Sequence, residues 1–133
     1  DVSLVGSEMC IRDRSKPGES EVMNIIGDVK GKDCIILDDI IDSAGTISNA
    51  ANRIMDLGAN SITSYVTHGV LTGKALERIN NSKLTELVIT NSINNQDLIS
   101  NGNKIRSIDV SNLLGEAIKR ISEESSVSSL FDF

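Results

Sequence analysis

The run Asp38-Asp39-Ile40-Ile41-Asp42-Ser43-Ala44-Gly45-Thr46 sets three carboxylates beside three small residues and a threonine. Small residues let a backbone turn tightly with its N–H groups pointing outward. A helix beginning near Thr46 would add the positive end of its dipole, which favours an anion such as phosphate. The hydroxyls of Ser43 and Thr46 are further donors. Carboxylates this close would repel a phosphate unless they face another part of the ligand, such as sugar hydroxyls, or a bound magnesium ion. A phosphorylated sugar meets both demands. The plainer reading makes Asp38 and Asp39 solubility residues at a strand end and Ser43 to Thr46 an ordinary turn and N-cap.

The elements that must position this run follow from hydrophobic spacing. Asp33 precedes the apolar run Cys34-Ile35-Ile36-Leu37, which predicts a strand buried on both faces. After a loop from Asp38 to Gly45, apolar residues recur at Ile47, Ala50, Ala51, Ile54 and Met55, the spacing of a helix with one buried face, and Gly58 supplies its C-terminal cap. Ile62 to Thr67 predicts a second strand, and a crossover of this length implies that the two strands are parallel. A short helix near Lys74 to Ile79, a strand at Leu87 to Thr90, a polar loop from Asn91 to Asn103 and a strand at Lys104 to Val110 continue the alternation. In the last helix, capped by Ser111, Leu114, Ala117, Ile118 and Ile121 point inward while Glu116, Lys119 and Arg120 stay wet. The Ser-rich tail from Glu123 to Phe133 is expected to be loose unless Leu130 and Phe131 dock. The expected fold is α/β, a mainly parallel sheet flanked by helices in a single domain, with the acidic run at the carboxyl end of a strand, where open α/β sheets bind ligands.

Composition narrows the function classes. The 133 residues carry a net charge of −6, and the 13 Lys and Arg are scattered, which argues against nucleic-acid or anionic-membrane partners. With two Phe, one Tyr and no Trp, the core is aliphatic and base-stacking platforms are not expected. Cys10 and Cys34 are far apart and belong to no Cys-x-x-Cys pair, so neither a disulfide nor a metal-thiolate site is expected. No apolar run approaches a bilayer span, and Asp1 to Val5 is too short and acidic for a secretory signal, so a cytoplasmic location is expected. His68, the only histidine, falls at a strand end and is read as structural or as part of an effector pocket. Lys74, Lys119 and Arg120 read as a solvated face.

The order of apolar strand, two acidic residues, two apolar residues, Asp, three small residues and Thr resembles the phosphoribosyl pyrophosphate motif of type I phosphoribosyltransferases and their relatives. Within that group the chain is similar to the carboxy-terminal half of the ribose-phosphate pyrophosphokinase family. The similarity is carried by Glu21-Val22-Met23-Asn24-Ile25-Ile26-Gly27-Asp28-Val29 before the motif, Tyr65-Val66-Thr67-His68-Gly69-Val70 after it and Glu116-Ala117-Ile118-Lys119-Arg120-Ile121-Ser122 near the end, and runs from about Lys16 to Phe131. The resemblance implies a phosphoribosyltransferase-like fold and transfer of diphosphate from magnesium ATP to the C1 hydroxyl of ribose 5-phosphate. It also implies that Asp38 and Asp39 reach the ribose hydroxyls and that Asp42, Ser43, Ala44, Gly45 and Thr46 surround the 5-phosphate. Mg2+ and ATP would be held mainly by an amino-terminal half that this chain lacks, and the full-length enzyme would be a homo-oligomer.

The family has an Asp-Lys-Arg-Arg loop before the Glu-Val-Met-Asn stretch, and here Ile11-Arg12-Asp13-Arg14 stands in that place, without the lysine. Residues 1–14 as a whole do not show what the resemblance leads one to expect there. Ser3 to Arg14 looks like translated sequencing-adapter sequence, a non-native or disordered segment ahead of a domain over 15–133. These departures predict a chain that binds ribose 5-phosphate and is inactive alone. Two other readings stand beside this one: a non-catalytic regulatory relative that keeps the sugar-phosphate pocket, and a salvage phosphoribosyltransferase, against which the flanking matches speak.

Overall fold

A computed structural model describes residues 27–101 and 104–131. In chain order the elements are β1 (Asp33–Ile41), α1 (Gly45–Asp56), β2 (Ser61–Gly69), α2 (Ala75–Asn81), β3 (Glu86–Thr90), α3 (Gln96–Asn101), β4 (Ile105–Ile108) and α4 (Ser111–Ser122), followed by a short 3-10 helix at Ser128–Phe131. The four strands form one sheet in the order β1-β2-β3-β4, and every pairing is parallel. The expected α/β architecture with a parallel sheet is therefore present.

One consequence of that order runs against the sequence reading. Parallel crossovers are right-handed in almost all proteins, so a sheet whose strands advance in one direction carries α1, α2 and α3 on one face. Cys34, Ile62, Val66, Leu87, Ile89 and Ile105 of the sheet are buried with Ile47 and Ala51 of α1 and Ala75 and Ile79 of α2. Leu98 and Ile99 of α3 pack against the same core. Alternate residues of β1 lie on the other face, where Ile35 is 46% and Leu37 72% exposed. β1 is thus covered on one side among the described residues, not on both as its continuous apolar run predicts.

The last helix differs in the same way. α4 has the predicted extent, yet none of its residues is buried, and Leu114, Ile118 and Ile121 are 52%, 68% and 67% exposed. Its apolar stripe is correctly read as amphipathic but finds no covering layer among the described residues. Ser111 is the first helical residue, not the cap. The carboxylate of Asp109 accepts the Ser111 N–H at 2.8 Å, and Asn91 Nδ2 reaches the same oxygen at 2.8 Å. These donors hold the Asp109 carboxyl below its ordinary range, the Ser111 hydroxyl being the largest cause. Arg120 is not merely wet. It donates to Glu116 at 2.9 Å, to the carbonyl of Ser126 at 3.0 Å and to the Ser129 hydroxyl, which ties the tail to the helix. Leu130 is half-buried, whereas Phe131 stays 60% exposed.

Smaller boundaries shift too. β1 continues through Asp38, Asp39 and Ile40 to Ile41, where a loop is expected, and the polar stretch after β3 contains α3. Gly58 closes α1 as expected, at φ 94° with its N–H on the carbonyl of Met55 at 3.0 Å. No helix of the described residues is long and apolar enough to cross a membrane. Residues 1–26, with Cys10 and the Ile11 to Arg14 stretch, lie outside the described residues.

Candidate functional site

The turn between β1 and α1 is shorter than the sequence suggests, because the strand runs to Ile41 and the helix begins at Gly45. Only Asp42, Ser43 and Ala44 lie between them. Ala44 adopts the left-handed conformation, φ 61° and ψ 9°, and is followed directly by helical Gly45. A left-handed residue joined to right-handed backbone turns successive N–H groups toward one point, an anion-binding concavity. No side chain caps the first turn of α1, so its N–H groups keep the unmatched donor capacity of a helix start. Ala44 is 4% exposed, and its methyl group belongs to the core. Burial of that methyl helps hold a conformation that costs an L-residue about 1–2 kcal/mol.

The rest of the motif is distributed around this turn. Asp42, Ser43 and Thr46 are exposed, while Gly45 is half-buried. Asp38 and Asp39 are consecutive residues of β1, so their side chains leave opposite faces of the strand. The Asp39 N–H donates to the Asp38 carboxylate at 2.9 Å. Asp42 to Thr46 therefore form one contiguous feature, with Asp38 and Asp39 set back along the strand that leads into it.

Two residues outside the motif hold the turn, and the sequence reading names neither of them. Thr72 follows β2; its hydroxyl donates to the Asp42 carboxylate, and its N–H reaches the Asp42 carbonyl at 3.2 Å. Arg78 of α2 donates from Nη1 to the carbonyl of Ser43 at 2.8 Å. Both lie at least thirty positions downstream, a separation that leaves no local periodic signal. The one hint is that Arg78 is polar in a helix whose neighbours Ala75 and Ile79 are core. Between α1 and α2 runs an open groove of about 590 Å³, lined by Gly45, Asn49, Lys74 and Arg78 among others. A Cβ added at Gly45 would meet only Arg78 Nη1 and Ser43 Oγ, each at 3.9 Å. Nothing in the protein itself forbids a side chain there.

His68 lies at the end of β2, and its Nδ1 is 2.9 Å from the Ser92 hydroxyl. That contact links the ends of β2 and β3 and involves no carboxylate. Cys34 is buried and free, its thiol pushed up first by burial and then by the Asp33 carboxylate. Among the described residues no group of three or more His, Cys, Asp and Glu side chains comes together as a metal cage would require.

The chain is similar in sequence and fold to known proteins. The ribose-phosphate pyrophosphokinases of Brucella melitensis biotype 1 and Agrobacterium fabrum are 59% and 57% identical to the chain over 119 residues, which is 90% of this chain and 38% of each of those proteins. The one from Hyphomonas neptunium is 52% identical over 131 residues. The crystal structure of phosphoribosylpyrophosphate synthetase from Mycobacterium smegmatis superposes with a TM-score of 0.70 at 34% identity, over 75% of this chain and 33% of that one. The chain thus spans about two-fifths of the length of these curated relatives. A family model described as the phosphoribosyl synthetase-associated domain matches residues 7–132. On that match the chain belongs to the phosphoribosyl synthetase-associated domain family.

Proposed function

We propose that this chain is the carboxy-terminal, ribose 5-phosphate-binding part of a ribose-phosphate pyrophosphokinase, with its domain over residues 15–133. The observation that carries this reading is the left-handed turn at Ala44, which opens an uncapped helix at the end of a parallel strand inside the Asp38 to Thr46 motif. The N–H groups of that turn and the hydroxyls of Ser43 and Thr46 take the 5-phosphate. Asp38 and Asp39 take the ribose hydroxyls, and Asp42, steadied by Thr72, flanks the phosphate side.

In the reaction of the whole enzyme, the C1 hydroxyl oxygen of the sugar forms a bond to the β-phosphorus of ATP. The bond from that phosphorus to the oxygen it shares with the α-phosphate breaks, AMP leaves, and the hydroxyl proton passes to solvent or base. Such a transfer depends on placing the two reactants and neutralising phosphate charge. This chain's part is to place the sugar. Mg2+ in this reading enters with ATP and is held mainly by the rest of the enzyme. In this reading the enzyme is a cytoplasmic homo-oligomer with no nucleic-acid or membrane partner.

The test is calorimetric titration of the purified chain with ribose 5-phosphate, with and without magnesium, beside the Asp42→Ala variant. Binding in the parent that falls at least about tenfold in the variant supports the site, because removing Asp42 frees Thr72 and loosens the turn. A folded parent that does not bind ribose 5-phosphate overturns the reading.

A non-catalytic sugar-phosphate-binding relative is the second reading, favoured by the missing lysine at Ile11 to Arg14. It shares the binding result. It is told apart by joining residues 15–133 to the amino-terminal part of a related enzyme with the Asp-Lys-Arg-Arg loop restored: diphosphate transfer in that chimera rules it out.

A further inference from the structure

The motif from Asp38 to Thr46 carries three carboxylates and no cationic side chain, yet its proposed ligand is an anion. Backbone N–H groups and one helix start must then work against a local charge of the wrong sign. We propose that Arg78 is the positioning residue that corrects this: delivered by α2, it holds the Ser43 carbonyl and supplies the cation that makes the turn select a phosphorylated sugar. This inference rests on the sugar-phosphate reading above and extends it to a residue outside the motif.

Three observations support it. Arg78 Nη1 donates to the Ser43 carbonyl at 2.8 Å, which engages that oxygen with α2. The same Nη1 lies 3.9 Å from the place a Cβ of Gly45 would occupy, so the guanidinium sits directly beside the first turn of α1. Among the described residues this is the one hydrogen bond of a side chain with five N–H donors. The neighbouring Glu77 forms no ion pair with it there. The charge of Arg78 therefore remains available at the mouth of the groove that Gly45 and Lys74 also line.

Two effects are expected and are separable. Loss of the hydrogen bond releases the Ser43 carbonyl and loosens the turn, and loss of the charge removes an attraction that salt would screen. Lysine keeps the charge but not the planar fork.

The experiment is titration of the 133-residue chain and its Arg78→Gln and Arg78→Lys variants with ribose 5-phosphate, at low and at high ionic strength, with thermal melting recorded for each. The expected result is roughly tenfold weaker binding in Arg78→Gln at low salt, the size of one charge-assisted hydrogen bond. The gap to the parent should narrow at high salt, and Arg78→Lys should recover to within roughly threefold of the parent at low salt. Parent-like affinity in Arg78→Gln overturns the inference alone. So does a loss that is equal in both variants and indifferent to salt, since that marks a contact serving only the fold. If Arg78→Gln does not fold, Arg78→Lys decides: parent-like salt dependence supports the proposal, and a salt-independent loss overturns it. Absence of binding in the parent overturns the sugar-phosphate reading and this inference with it.

Discussion

The two faces of the sheet are built from the same kinds of residue and have opposite fates. On one, Ile62 and Leu87 are fully buried in the core with residues of α1 and α2; on the other, Val88 is buried at the centre but Ile35 and Leu37 of β1 stand open. The turn from Asp42 to Ala44 belongs to the covered side, because α1 begins after it and α2 sends Arg78 to it. Burial here follows from the direction in which the strands advance and the hand of the crossovers, and not from how apolar each residue is. A site that needs a rigid frame is thus attached to the finished face.

The sharpest break of that comparison comes from truncating one aliphatic residue on each side. Ile79→Ala, at a side chain with no exposure, should cost about 2–5 kcal/mol in chemical denaturation. Leu37→Ala should stay within about 0.5 kcal/mol. Equal losses would mean that the open face is covered in solution and would dissolve the contrast.

Two glycines sharpen it further. A Cβ on Gly69 would lie 2.8 Å from Ile89 Cδ1 and 3.3 Å from Asn95 Nδ2, so Gly69→Ala should destabilise by about 1–3 kcal/mol through overpacking. Gly45→Ala meets only ordinary contacts. It should leave stability unchanged within about 1 kcal/mol while weakening ribose 5-phosphate binding, since under the proposed function the added methyl would enter the ligand's space. Melting and titration on the same two samples check both halves. A Gly45→Ala chain that binds as the parent does would place the ligand elsewhere.

Ser64 sits fully buried in the middle of β2, and its hydroxyl has no partner among the described residues. Ser64→Ala removes that unmet group at little change of shape and should raise stability by about 1 kcal/mol, read as a higher denaturation midpoint. A loss instead would reveal a hydrogen bond that the covered face conceals.

The smallest effect belongs to surface charge. Arg106 hydrogen-bonds Glu86, and Arg120 hydrogen-bonds Glu116; each holds its partner's carboxyl below the ordinary range, as Ser111 and Asn91 do for Asp109. A carboxyl depressed in the folded state adds stability that is fully present above its unfolded pKa and fades as pH falls through the folded value. The loss should therefore appear below roughly pH 4 and be absent near neutrality. Glu86→Gln should flatten the acid limb of a melting-temperature profile, and an unchanged limb would remove this pair from the account.

Much of the molecule was legible in advance. The helical spacing of Ile47, Ala51 and Ile54 and the cap at Gly58 placed α1, the Asp38 to Thr46 string marked the turn, and the flanking strings pointed to the family. What misled was the meaning of apolarity. Cys34 to Leu37 reads as a strand covered twice, and Leu114 to Ile121 as an inward stripe, because a residue's own type records that a partner is wanted and not whether one is within reach. Asp38 and Asp39 read as loop residues because two adjacent carboxylates are poor strand formers, but pairing with β2 through Val66 and His68 carries the strand past them.

Sequence alone determined the local matters: which segments are helix or strand, and where the small residues let the chain turn. These depend on neighbours within a few positions, where side-chain period and backbone freedom act directly. Tertiary structure alone decided which face of the sheet is buried and which distant groups stand behind the turn. Thr72 reaches Asp42 across 30 positions and Arg78 reaches Ser43 across 35. No periodicity spans such distances; only the parallel crossovers bring those groups together.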